Sequence, residues 1–245
     1  MPTVRTANGS AGTNGLAAQV VTLPSGWLPG DVVIGCIISR NTGTPNTWTV
    51  DQGFTKDADA ENSGDATNGH AYCHFSKVMA GGESNPTLTY GGGTNSRFAY
   101  QTVAIRPTFG GILTINQRAT PTVTTTAAAT LANPAATAAG GAQGVTSVVL
   151  TTLASGSSTA TAAIVPVTPS SWAIPTLGSI SGTGGGATGT RTVAAAVATR
   201  DAQSGTVSPG TWSFSQTSAT TWIGETGHYL IAEAGFPRLV MGSWG

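Results

Sequence analysis

Three groups of residues are spaced so that they could do chemistry. The first is Asp57-x-Asp59-x-Glu61-Asn62-x-Gly64-Asp65. Carboxylate and amide oxygens at alternating positions are the ligand chemistry of calcium. The EF-hand pattern is not met: glycine is missing at the sixth position and no acidic residue closes the loop at the twelfth. The stretch therefore reads as a solvated loop between strands. The second group is His70, Cys73 and His74. On a strand, residues 70 and 74 share one face and residue 73 points to the other. One zinc ion could not take all three without a bulge, and no second ligand pair exists. These histidines read as ordinary strand residues, with Cys73 in the core. The third group is the tryptophans, Trp27, Trp48, Trp172, Trp212, Trp222 and Trp244. Trp27 and Trp222 are the candidates for stacking on sugar rings, although core or interface packing is the commoner fate of such residues.

Other patterns carry less. Gly91-Gly92-Gly93 and Gly184-Gly185-Gly186 lack a following Lys-Ser/Thr and open no helix, so they read as loop tips rather than phosphate cradles. Serine and threonine are abundant, but no Gly-x-Ser-x-Gly elbow is present. No carboxylate pair stands out for glycoside hydrolysis. The expectation is a non-enzymatic protein with no catalytic residue, metal site or cofactor.

The elements that would position these residues follow from composition. The chain has 245 residues with ten basic and ten acidic side chains, and only 8% are charged. Average domains carry about 25%. A neutral chain whose only lysines are Lys56 and Lys77 offers no basic face for phosphates, which argues against nucleic acid as a partner. No run of eighteen apolar residues exists, so no membrane-spanning helix is expected. Met1-Pro2-Thr3-Val4-Arg5 does not resemble a secretory signal, so synthesis in the cytoplasm is expected. Cys36 and Cys73 lie in apolar runs at 32–38 and 71–75 and read as two buried free thiols, a bridge between sheets being the alternative.

Helical periodicity is almost absent. Short runs rich in Val, Ile, Thr and aromatics alternate with Gly, Pro, Asn and Ser, which predicts an all-β sandwich or barrel. The second half repeats the layout of the first. Lys77 and Pro86 are followed by Thr87; Arg200 and Pro209 are followed by Thr211. In both, a hydrophobic strand precedes the basic residue. This predicts two tandem β-sandwich domains of jelly-roll or Ig-like type, at residues 1–107 and 108–235. A C-terminal docking tail follows at 236–245. The Ala/Thr-rich stretch at 120–144 contains Pro121 and Pro134 and is predicted to be an extended edge strand and loop.

Sheet edges need protection, usually by charge. This chain has little to give, and a neutral Thr/Ser/Asn/Gly/Ala surface costs little to desolvate. Much of the surface is therefore expected to be covered in a repetitive assembly. Phe236, Leu239, Val240, Met241 and Trp244 in the apolar tail are the expected interface residues.

The segment Leu23-Pro24-Ser25-Gly26-Trp27-Leu28-Pro29-Gly30-Asp31-Val32-Val33-Ile34 resembles a recurring opening of β-sandwich modules in virion proteins of tailed bacteriophages. Phe75-Ser76-Lys77, the loop at 81–84, Asn85-Pro86-Thr87-Leu88-Thr89 and the closing strand through Arg106 are similar to the rest of such a module. The resemblance covers residues 15–107. The second half instead has Gly144-Val145-Thr146-Ser147-Val148 where the Pro-Gly-Asp turn would stand. It implies a virion structural protein, a capsid decoration or auxiliary head protein. The expected partners are the major capsid protein and sister subunits, in a homo-oligomeric particle. A minor tail or fibre protein, and a carbohydrate-binding module using Trp27 and Trp222, are the alternatives.

Overall fold

The structure is a computed structural model that describes residues 3–12, 17–41, 48–62, 70–91, 95–107, 111–133, 135–137, 143–155, 165–167, 180–186, 189–204 and 206–233. Among these the chain is all-β, with antiparallel sheets and no helix. The first half contributes β1 (Thr3–Gly12), β2 (Ala18–Val20), β3 (Val32–Asn41), β4 (Trp48–Val50), β5 (Thr55–Asn62), β6 (His70–Val78), β7 (Thr87–Tyr90) and β8 (Asn95–Arg106). The second contributes β9 (Gly111–Ala132), β10 (Ala136–Thr137), β11 (Gln143–Ser155), β12 (Val165–Val167), β13 (Ile180–Gly186), β14 (Gly189–Ser204), β15 (Thr206–Val207) and β16 (Thr211–Glu233).

The centre of the first half is a five-stranded sheet in the order β1-β8-β3-β6-β5. Its middle strand, β3, is apolar on both faces because both faces are covered. Val33 and Ile37 point to one side with Cys73, Phe75 and Ala104. There they meet Val21, Leu88, Trp48 and Tyr90 of the small β2-β7-β4 sheet and its flanks. Val32, Ile34, Cys36 and Ile38 point the other way, with Tyr72, Val103 and Ile105. That face packs on Val148, Leu150, Val193, Ala195, Val197, Tyr229 and Ile231 of the second half. The five-stranded sheet is thus the middle layer between the small sheet and the second half.

Strand alternation separates the two thiols. Cys36 and Cys73 are free and buried, on neighbouring strands but opposite faces, so they cannot bridge.

The Pro-Gly-Asp turn has a physical explanation. Gly26 (φ 73°) and Gly30 (φ 88°) both adopt backbone conformations that favour glycine. They bring Asp31 under the end of β8, where its two carboxylate oxygens accept from Arg106 Nε at 2.7 Å and Nη2 at 2.6 Å. Asp31 also accepts from the Leu28 N–H at 2.9 Å. Gly30 N–H donates to the Met79 carbonyl, and Met79 N–H to that of Asp31, closing the turn onto the strand after β6.

The second half uses the same strand order: β9-β16-β11-β14-β13 follows the plan of β1-β8-β3-β6-β5. The registers correspond as well. Val33 lies between Lys77 and Ala104; Ser147 lies between Arg200 and Leu230. Thr87 pairs with Val20, and Thr211 with Ala132. Thr89 pairs with Thr49, and Ser213 with Val167. Even an isolated backbone bond recurs: Val21 N–H to Pro86 O and Asn133 N–H to Gly210 O, both 2.9 Å. By this register the end of β9 matches β2, the start of β16 matches β7, and β12 matches β4. The halves differ in continuity. β1 and β2 are separate, as are β7 and β8, whereas β9 and β16 run unbroken for 22 and 23 residues. Pro121 falls where the β9–β16 register shifts, a position where a missing N–H interrupts no regular ladder.

Two expectations need correction. The acidic stretch is not a loop from its start: Asp57, Asp59 and Glu61 lie on β5, an edge strand, and Gly64 and Asp65 lie outside the described residues. Alternating charge is the pattern of a protected edge. Gly184-Gly185-Gly186 is not a loop tip but the end of β13, paired with Gly189–Arg191 of β14.

Candidate functional site

A group of buried polar side chains lies on the face between the two halves. His74 alternates away from Cys73 on β6 and is therefore aimed at the second half. It is fully buried, and its Nε2 lies 4.0 Å from Oε2 of Glu225, 2% exposed, on β16. Gly227, two residues further along β16, makes room for the imidazole: a Cβ there would lie 2.7 Å from His74 Nδ1. Tyr229, two residues further again, donates its hydroxyl to Asp57 Oδ2 at 3.2 Å. Asp57 reaches it from the β-bulge between Lys56 and Ala58 on β5. Glu225, Gly227 and Tyr229 share one strand face by the period of two, so this face of β16 meets β5 and β6 of the first half.

The environment fixes the protonation of two neighbours. Cys36 stands beside His74 in the β3–β6 register. Burial pushes its thiol up to about 12, against a hydrogen bond with the Gln101 backbone, and the Glu225 charge adds to the rise. Burial also raises the Tyr229 phenol well above its usual range, helped by the charge and hydrogen bond of Asp57. Both are therefore neutral at physiological pH, and Cys36 is not poised as a nucleophile.

A second polar pair lies on the opposite face of the same sheet. Ser147 Oγ and His228 Nε2 are 2.6 Å apart. A serine hydroxyl on an imidazole is the geometry of an activated nucleophile. Here both residues have no solvent exposure, so a substrate could reach the hydroxyl only if the sheet opened. Thr151 Oγ1 donates to the Glu225 carbonyl at 3.0 Å on the same face. In the closed structure these contacts satisfy buried polar groups.

The predicted site residues fall elsewhere. Trp27 is half-buried and packs against the outer core of the first half, beside Leu28, which is 52% exposed. Trp222 pairs with Ser155 and Thr124, and its side chain lies outside the described residues. Trp48 and Trp212 are core residues; the Trp212 Nε1–H donates to Asn133 Oδ1 at 3.0 Å. Phe236, Leu239, Val240, Met241 and Trp244 lie outside the described residues, as does the side chain of His70. Among the described residues no group of three or more His, Cys, Asp or Glu could hold a metal ion, and no helix is long and apolar enough to cross a membrane.

Sequence reasoning grouped His74 with its chain neighbours and missed Glu225. The available signal was Gly227, a glycine inside a strand pattern, which marks close approach of another element. Comparison with protein families, curated proteins and solved structures finds no match to this chain.

Proposed function

We propose that this protein is a non-enzymatic structural component of a tailed-phage virion, a capsid decoration or auxiliary head protein. It is built from two copies of one β-sandwich module. The observation that carries this reading is the uneven protection of its sheet edges. The first-half edge β5 holds Lys56, Asp57, Asp59 and Glu61 within eight residues. The second-half edge β9 has one charged residue, Arg118, in 22, and the opposite edge β13 has none. Long uncharged edges are templates for pairing with other chains. The virion assignment itself rests on the resemblance of residues 15–107 to phage β-sandwich modules. The turn that carries it owes its form to the ion pair of buried Asp31 with partly exposed Arg106, a scaffold role that needs no ligand.

On this reading the protein binds the major capsid protein and sister subunits through its weakly charged edges and through residues 236–245. Stabilisation comes from apolar area, at about 25 cal/mol per Å² before association costs. Attachment of this kind depends weakly on ionic strength. Quantitative mass spectrometry of purified particles tests it: the expected result is hundreds of copies per particle. A handful would move the protein to the tail. Absence from particles would overturn the virion reading and favour the carbohydrate-binding alternative through Trp27. Deleting 236–245 is expected to weaken incorporation while both halves stay folded.

A further inference from the structure

We propose that the face between the halves is a selective docking surface, which accepts a first half against a second half and rejects two first halves or two second halves. The inference concerns the packing of the two modules and is independent of the virion reading.

The halves face each other about an approximate twofold axis. In register, β1, β8, β3, β6 and β5 correspond to β9, β16, β11, β14 and β13. Across the face, β8 of the first half approaches β13 and β14 of the second. Their counterparts meet with the roles exchanged. β16 reaches β6 through Glu225 and His74, and β5 through Tyr229 and Asp57. β3 approaches its own counterpart, β11. Such an exchange of roles marks an isologous contact, the kind that two identical modules make. β14 lies closer to β8 than β6 does to β16, so the symmetry is approximate.

The axis makes each contact occur twice, and the two copies differ. At one site His74 on β6 lies against Gly227 on β16, where a Cβ would stand 2.7 Å from Nδ1. In register His74 corresponds to Val197, and Gly227 to Gln101. The twin site therefore sets Val197 against Gln101, both buried. A large side chain meets none at the first site, and a medium one meets a long one at the second. Two first halves about the same axis would set His74 against Gln101 twice, an imidazole where a glutamine already stands. They would also place Asp57 against Val103, the counterpart of Tyr229, and lose the hydrogen bond from its hydroxyl. Two second halves would set Val197 against Gly227 twice and leave the space of the imidazole empty. Unlike halves fill the face with neither collision nor void. Halves that part among neighbouring copies can therefore re-form only first–second pairs.

Substitutions in the intact chain build the like-with-like contacts one at a time. Amide hydrogen exchange in β3, β8, β11 and β14 reads the face. Val197→His creates the contact of two first halves at the twin site, histidine against Gln101. Protection is expected to fall about tenfold or more, the range of an overpacked core. Adding Gln101→Gly copies the native contact of His74 with Gly227 and is expected to restore most of the loss. A Val197→His chain as protected as wild type would overturn the proposal. So would a loss that Gln101→Gly leaves untouched, since the collision would then belong to the spacing of the sheets. If Val197→His does not fold, the native site decides. Gly227→Gln and His74→Val are each expected to lower protection, the first by collision and the second by a void. Together they copy the contact of Val197 with Gln101 and are expected to cost less than their sum. Costs that simply add would overturn the proposal.

Discussion

The two halves solve one architectural problem with different chemistry. In register, Asp31 of the first half corresponds to Val145 of the second, and Arg106 to Ala232. The first pair is a two-point ion pair with Asp31 almost fully buried. At its counterpart Val145 is buried and apolar. The first half divides its outer strands into β1 and β2, and β7 and β8, while the second runs β9 and β16 straight through. The strand order survives both changes. What specifies it is therefore the alternation of apolar residues and the pairing register, not the particular clamp at the end of the sheet. A directed ion pair fixes a turn at one point; a long ladder fixes the same strands by many weak bonds.

Substitutions at the corresponding positions test this difference between the halves. The largest effect is expected from Asp31→Val, which installs the second-half residue but leaves Arg106 without its partner. Asp31 is buried but Arg106 is 24% exposed and stays partly hydrated, so the loss is that of charge-assisted hydrogen bonds, about 2–3 kcal/mol, measured by denaturant unfolding. Adding Arg106→Ala, which completes the second-half arrangement, is expected to restore a good part of that loss. A double variant as unstable as the single one would show that the two positions are not equivalent.

Gly227→Ala comes next. The new methyl would press on His74, and overpacking of this kind costs about 1–3 kcal/mol. Tyr229 and Cys36 should respond in the same thermal unfolding experiment by local changes in fluorescence and thiol exposure.

Glu83→Gln probes a feature placed in the first half. Burial works against the Glu83 carboxylate. The N–H groups of Ala80 and Gly81 and the Lys77 ammonium outweigh it and hold the carboxyl down at about 2. Because the folded value lies below the unfolded one, its stabilisation is complete above the ordinary carboxylate range, roughly pH 4.3. It is lost as pH falls toward about 2. The variant is expected to be slightly less stable at neutral pH and to lose this part of the acid dependence. An acid profile identical to wild type would separate Glu83 from acid unfolding.

The smallest effect expected is on thiol labelling. With Cys36 and Cys73 buried, native protein should label negligibly, and both should react on unfolding. Cys36 lines the face between halves and Cys73 the interior of the first half, so Cys36 reacting earlier would show that the halves part before the first half unfolds.

Much of the fold is legible in residue patterns. The apolar run of β3 announces a strand covered on both sides, and the spacing of His70, Cys73 and His74 sorts Cys73 and His74 to opposite faces. Thr120 to Ala132 is extended, as its threonines and Pro121 predict. The misreadings share a cause. Asp57-x-Asp59-x-Glu61 alternates with the period of a strand, but carboxylates at that spacing also suggest a loop that collects cations. Glycine in β13 looks like a turn when its partner strand is unknown. The face between halves was illegible for a further reason. Inward-facing residues of a sandwich and residues covered by a second half carry the same apolar alternation, so sequence does not tell which face meets which. Glu225 and His74 are remote in the chain, and only the fold makes them neighbours.

The long β9–β16 ladder, though it shifts register at three places, has a direction as well as a length. Glu233 stands opposite Gly111 at one end, and Thr211 opposite Ala132 at the other. Tension that pulls Glu233 and Gly111 apart meets the backbone bonds one at a time, as a zipper does. Tension applied to Glu233 and Ala132, at opposite ends of the ladder, loads the bonds together in shear. The same ladder is weak to the first load and strong to the second, so the direction of pull at Glu233 sets its mechanical resistance.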